Sequence, residues 1–183
     1  MHKQCDDVVR DDVVGNDKLG KKAEEKIKLW LDRPAQGYSL DRIPDQVSGF
    51  YGSKNICDFT LFKYPNYFYI ESKATWADRF DFSMITEYQL NNLIKKCEIP
   101  YVYSYIILLF ATHKRAFILP IQEINRLIHS GKKSLNINKL SDWNIKYSEI
   151  QTIPNSRKLF LDYCGEIEDH LIIDYNEELL NNV

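Results

Sequence analysis

Residues 56–73 read ICDFTLFKYPNYFYIESK. Two runs rich in aromatic and β-branched side chains, Ile56 to Lys63 and Tyr67 to Lys73, flank Tyr64-Pro65-Asn66. Such runs favour extended backbone, and Pro followed by Asn favours a turn, so the segment predicts a β-hairpin. Asp58 stands near the start of the first run, and Glu71-Ser72-Lys73 ends the second. Alternation along a strand puts Glu71 and Lys73 on one face and Ser72 on the other. A loop centred on Pro65 and Asn66 would set Asp58 opposite Lys73, and opposed residues share a face. Asp58, Glu71 and Lys73 would then converge, provided no one-residue bulge intervenes.

Two carboxylates held close together repel unless a cation lies between them. Hard oxygen donors of this kind suit Mg²⁺, with Mn²⁺ as a substitute. A lysine beside them can orient a water or stabilise charge on phosphorus, which is equipment for phosphodiester hydrolysis. Taken alone, the pattern is more often a set of surface charges on a hairpin. The apolar interior of this hairpin (Phe59, Leu61, Phe68, Ile70) and the polar residues Glu24 and Gln89 on flanking helices favour a site.

Outward from the hairpin, Leu19, Ala23, Ile27, Trp30 and Leu31 recur at helical spacing, and Pro34 and Gly37 end that helix. Tyr38 to Ile43 predicts a strand, and Pro44 to Asn55 a loop with two glycines. Met84 to Lys96 predicts a helix, Val102 to Ala111 and Ala116 to Leu119 strands, and Ile121 to His129 a helix opened by Pro120. Helix, three strands, helix, two strands, helix describes an α/β fold with a mixed central sheet flanked by helices.

The 183 residues suit one domain, and 44% hydrophobic content is ordinary for a globular chain. Residues 1–17 carry five acidic and two basic side chains and are expected to be a flexible arm. Residues 18–133 carry eighteen basic and twelve acidic side chains, so a chain of net charge −2 still has a segment suited to a polyanion. The remainder is acidic, and residues 166–183 are expected to be a tail beyond a domain of residues 18–165. Cys5, Cys57, Cys97 and Cys164 form no CxxC pair, so zinc is not expected and reduced thiols in a cytoplasmic protein are. The N-terminus has no apolar signal segment, and the longest apolar run, Tyr105 to Ala111, is too short to span a bilayer.

Several further residues have two readings. The lysines of the first helix, Lys18, Lys21, Lys22 and Lys28, are DNA contacts or a solvated face. Phe50 and Tyr51 are stacking wedges or packed loop aromatics. His113 touches phosphate or merely turns the chain. Trp30 and Trp143 are expected in the core, and Trp76 is open.

Five stretches together resemble the PD-(D/E)xK nuclease superfamily and, within it, the Holliday-junction resolvases. They are Gly20-Lys-Lys-Ala-Glu24, Arg42-Ile-Pro-Asp-Gln-Val-Ser-Gly49, Cys57-Asp58, Ile70-Glu71-Ser-Lys73 and Tyr88-Gln89. Tyr88-Gln-Leu-Asn-Asn-Leu93, Gly131-Lys-Lys-Ser134 and Leu161-Asp-Tyr163 resemble the bacterial and phage RecU type. The resemblance implies a restriction-endonuclease-like core and a metal-dependent endonuclease that resolves four-way DNA junctions in recombination and repair as a homodimer. It implies Glu24, Asp58 and Glu71 as metal ligands, Lys73 as the catalytic lysine, and Gln89 as a supporting member of the catalytic group. Lys21, Lys22, Arg42, Ser48 and Lys54 are the implied DNA contacts. Another endonuclease of the superfamily, of restriction or repair type, and an inactive module that binds branched DNA are the alternatives. Two departures stand out. Only fifteen residues separate Arg42 from Asp58, leaving no room for the long stalk of the RecU type, and Tyr88 and Asn92 stand where histidines are common.

Overall fold

A computed structural model of the chain describes residues 15–32, 38–44, 55–150, 152–153 and 162–163. In chain order the main elements are α1 (Asn16–Leu31), β1 (Tyr38–Arg42), β2 (Phe59–Lys63), β3 (Asn66–Thr75), β4 (Arg79–Asp81), α2 (Glu87–Lys96), β5 (Val102–Phe110), β6 (Arg115–Pro120), α3 (Ile121–His129), β7 (Ser134–Asn136) and β8 (Ser148–Ile150). Of the expected arm, residues 1–17, and acidic tail, residues 166–183, residues 1–14 and 166–183 lie outside the described residues, while Asn16 and Asp17 already belong to α1.

The expected hairpin forms with a different register. Phe59 faces Ile70 and Lys63 faces Asn66, so the loop is Tyr64-Pro65 and Asn66 already belongs to the ladder. Proline has no N–H to give a ladder, whereas Asn66 has one. The expected pairing of Asp58 with Lys73 is therefore corrected: the ladder is shifted by two residues and ends at Phe59 and Ile70, so Asp58 lies just beyond it, with its amide donating to Ile70 O and its carboxylate turned to the Ser72 amide.

β1 pairs antiparallel with β2, and β3 runs parallel to β5 across a connection that contains α2. β6 and β8 extend the sheet antiparallel, giving the order β1-β2-β3-β5-β6-β8. The central strand β5 is buried on both faces, which explains its unbroken apolar run Tyr105 to Phe110. On one face, Leu19, Ala23, Ile27, Trp30 and Leu31 of α1 pack with Phe59, Leu61, Phe68, Ile70 and Ile107. On the other, Leu93 of α2 and Ile121, Ile124 and Leu127 of α3 pack with Ile106, Leu108, Phe110, Phe117 and Leu119. Trp30 is in the first core, Trp143 packs at the edge of the second, and Trp76 is half-buried against the first.

The expected helix over 84–96 begins later. Phe82–Met84 is a 3₁₀ turn, and α2 proper opens after Thr86. The short strands β4 and β7 pair with each other outside the main sheet. Among the described residues, no helix is long and apolar enough to cross a membrane.

Candidate active site

β3 carries the centre of the site. In the parallel ladder, Glu71 lies beside Ile106 and Lys73 beside Leu108, so both acidic and basic side chains enter the face that α2 and α3 otherwise cover with apolar groups. Ser72 lies beside Ile107, on the α1 face, as strand alternation requires. Glu71 is fully buried, an expensive location for a carboxylate without partners. Lys73 Nζ donates to Glu71 Oε1 at 2.5 Å, and Gln89 Nε2 of α2 donates to the same oxygen at 2.7 Å. The other oxygen, Oε2, is buried with no hydrogen-bond partner.

Asp58 precedes β2 by one residue and completes the ladder with its side chain. Its amide donates to Ile70 O at 3.2 Å, and its Oδ2 accepts the Ser72 amide at 2.7 Å. Burial and the neighbouring Glu71 push the Asp58 carboxyl up to about 7, while the Ser72 amide and Lys73 oppose the rise. Glu71 is also raised, by burial above all, against the pull of Lys73 and Gln89. Both carboxylates feel the negative charge of Glu24 on α1. Glu24 itself is held by Arg42, the last residue of β1, with Nη2 and Oε2 2.5 Å apart.

The structure thus brings Glu24, Asp58, Glu71, Lys73 and Gln89 into one electrostatic neighbourhood, with Arg42 at its rim. Lys21 and Lys22 are exposed on α1, just before Glu24. Ser48 and Lys54, with Phe50 and Tyr51, lie outside the described residues. His113 Nε2 donates a 2.7 Å hydrogen bond to Asp78 Oδ1. Cys57 and Cys97 are buried free thiols.

Among the described residues, no three His, Cys, Asp or Glu side chains stand together as a ready-made metal cluster. The donor chemistry nonetheless fits a hard cation. Asp58 and Glu71 are adjacent, both are pushed toward protonation, and Glu71 Oε2 has no partner.

Two features escaped the sequence reading. Thr86 caps α2: its Oγ1 accepts the Gln89 amide at 3.2 Å, and Gln89 Oε1 accepts the Thr86 amide at 3.2 Å. The spacing Thr86-Glu87-Tyr88-Gln89 is a capping box legible in the sequence. Cys57 lines the back of the site. Burial first, and then Glu71, raise its thiol to about 12, so it is inert as a nucleophile.

A family model described as Recombination protein U matches residues 34–169. No curated protein matches the chain. Among solved structures, the chain is similar to Hjc of Archaeoglobus fulgidus, a Holliday junction resolvase from an archaeal hyperthermophile. The identity is 18% and the TM-score 0.45, over 65% of this chain and 89% of that one.

Proposed function

This chain belongs to the Recombination protein U family, and so to the Holliday-junction resolvases; we propose that Asp58, Glu71 and Lys73 form its endonuclease centre and that Mg²⁺ is its cofactor. The reaction is hydrolysis of a backbone phosphodiester in a four-way junction. A water oxygen bonds to phosphorus and the bond to the 3′ oxygen breaks, leaving a 5′-phosphate and a 3′-hydroxyl. When bound by Asp58 and Glu71, with Glu24 as a third ligand, Mg²⁺ (or Mn²⁺) lowers the pKa of a water and offsets charge on the phosphate.

The chain's own residues do the positioning. Glu71 uses one oxygen to fix Lys73, whose remaining N–H groups are available to water or to a phosphate oxygen. Gln89 keeps Glu71 from turning away. The Ser72 amide fixes Asp58, so both carboxylates are oriented before substrate arrives. Arg42, Lys21 and Lys22, with Ser48 and Lys54, contact the DNA backbone. Resolution needs two symmetric cuts, which a twofold homodimer supplies from two copies of the site.

The observation that carries this assignment is the shared Glu71 oxygen, which ties Lys73 and Gln89 together beside Asp58. The test compares a four-way junction with a linear duplex of the same arms at matched concentration. The junction should be cut much faster in Mg²⁺, and chelation should stop the reaction. Equal cutting of both would overturn junction selectivity. Cleavage that persists in Asp58→Asn would overturn the site.

A further inference from the structure

Glu24 belongs to the acidic group by charge, yet its carboxylate is engaged elsewhere. Its Oε2 meets Arg42 Nη2 at 2.5 Å, a pair that joins α1 to the end of the edge strand β1. The Glu24 side chain is 17% exposed and that of Arg42 41%, so the guanidinium is the partner that reaches solvent. No three carboxylates of the described residues are gathered for a cation while this pair is in place. A guanidinium binds phosphate with the same planar fork that it offers a carboxylate. A DNA backbone at the rim of the site therefore competes with Glu24 for Arg42.

We propose that Arg42 is a positioning residue that holds Glu24 back in the DNA-free protein and releases it to the metal when a backbone phosphate takes the guanidinium. The proposal rests on the active site assigned above. Its consequence is that DNA and metal binding reinforce each other through one ion pair, so that the full ligand set forms only on substrate. Such coupling is reciprocal: whatever Glu24 costs DNA by occupying Arg42, Arg42 costs the metal by occupying Glu24.

A cation near a metal site also weakens metal binding simply through space. A double-mutant cycle separates the two effects. The full-length, DNA-free protein is titrated calorimetrically with MnCl₂ as wild type, Arg42→Gln, Glu24→Gln and the double variant. Arg42→Gln should tighten Mn²⁺ by about fivefold or more, and this gain should vanish when Glu24 is already Gln. Arg42→Lys, which can still pair with Glu24, should stay near wild type and serves as the folded reference. An unchanged or weaker affinity in Arg42→Gln, or a gain that persists with Gln at position 24, overturns the proposal.

The second cycle measures junction binding in EDTA by fluorescence anisotropy. Glu24→Gln should tighten the junction, and the effect should disappear in the Arg42→Gln background. A Glu24→Gln effect of equal size in both backgrounds would mean plain charge repulsion and overturn the release mechanism. Neither cycle requires cleavage, so a wild type that cuts no junction would fail the resolvase assignment without being mistaken for a failure here.

Discussion

Gln89 serves two elements at once: its Nε2 donates to Glu71 Oε1 on β3, while its Oε1 closes the capping box of α2 on Thr86. The start of α2 and the orientation of the buried carboxylate are thereby tied to one amide. The two roles separate by mutation. Thr86→Ala removes the cap and should lower stability by about 1 kcal/mol, a fall in Tm of about 2–4 °C, with a small effect on cleavage. Gln89→Ala keeps the residue-89 amide on Thr86 but loses the reciprocal bond to the Thr86 amide and frees Glu71, so it should lose no more stability than Thr86→Ala through the cap and also slow cleavage about 10–100-fold, as loss of an outer support does at metal sites. Thermal melts and single-turnover cleavage of both variants test this. Equal cleavage by the two would mean that Gln89 acts only as a cap.

The raised carboxyl of Asp58 makes a pH prediction for metal-free protein. Burial and then Glu71 move it from an ordinary 3.8 to about 7. Between those values the folded state binds more protons than the unfolded state, so this contribution to stability is complete below about 3.8 and is lost as pH rises toward 7. Glu71, also raised, acts with the same sign. Wild type in EDTA should therefore lose stability from pH 5 to pH 8. Asp58→Asn should show a flatter profile and be more stable than wild type at pH 8 by on the order of 1 kcal/mol. Its cleavage should fall by at least about 10²–10³-fold. Saturating Mg²⁺ should flatten the wild-type profile. Chemical denaturation at several pH values measures each point.

Much of this site was legible because strand periodicity is a strong signal. The face shared by Glu71 and Lys73 followed from alternation alone. Asp58 joins them from beyond the end of the ladder, held by the Ser72 amide, and the expected register, wrong by two residues, did not show that contact. The bounds of α3 were readable because Pro120 opens it and its apolar residues recur at helical spacing. β4, β7 and β8 were not readable, since three residues hold too little alternation to register. The Glu24–Arg42 pair was equally hidden: seventeen residues lie between its members, and only the packing of α1 on the sheet, mainly over β3, brings them together. Family resemblance supplied both residues, but not their contact.

Lys73 is the counter-charge that makes the buried Glu71 tolerable, with side-chain exposures of 18% and 1%. Lys73→Met should abolish detectable cleavage and leave Glu71 with Gln89 alone. Removing one member of a buried pair strands the other, so metal-free Lys73→Met should lose about 1–3 kcal/mol at pH 8. The loss should be smaller at pH 5, where Glu71 can take up a proton. Lys73→Arg keeps the charge and should recover most of the stability. Its wider, planar head cannot reproduce a compact ammonium, so cleavage should stay low. Recovery of cleavage in Lys73→Arg would show that charge alone suffices at this position.

The exposed lysines of α1 can be assigned by the salt dependence of binding. Lys21 precedes Glu24 by three residues, and so stands close to it on the helix surface, on the edge of the proposed site. If Lys21 meets a backbone phosphate, Lys21→Gln should weaken junction binding uniformly across sequences. It should also reduce the magnitude of the slope of log K against log [salt] by about 0.9. A solvated lysine would leave that slope unchanged, even if affinity drifted slightly through long-range charge. Measuring affinity from low to physiological salt, in EDTA so that no cleavage occurs, distinguishes the two outcomes. The same measurement on Lys22→Gln asks whether one helix edge follows the backbone or only one of its lysines does.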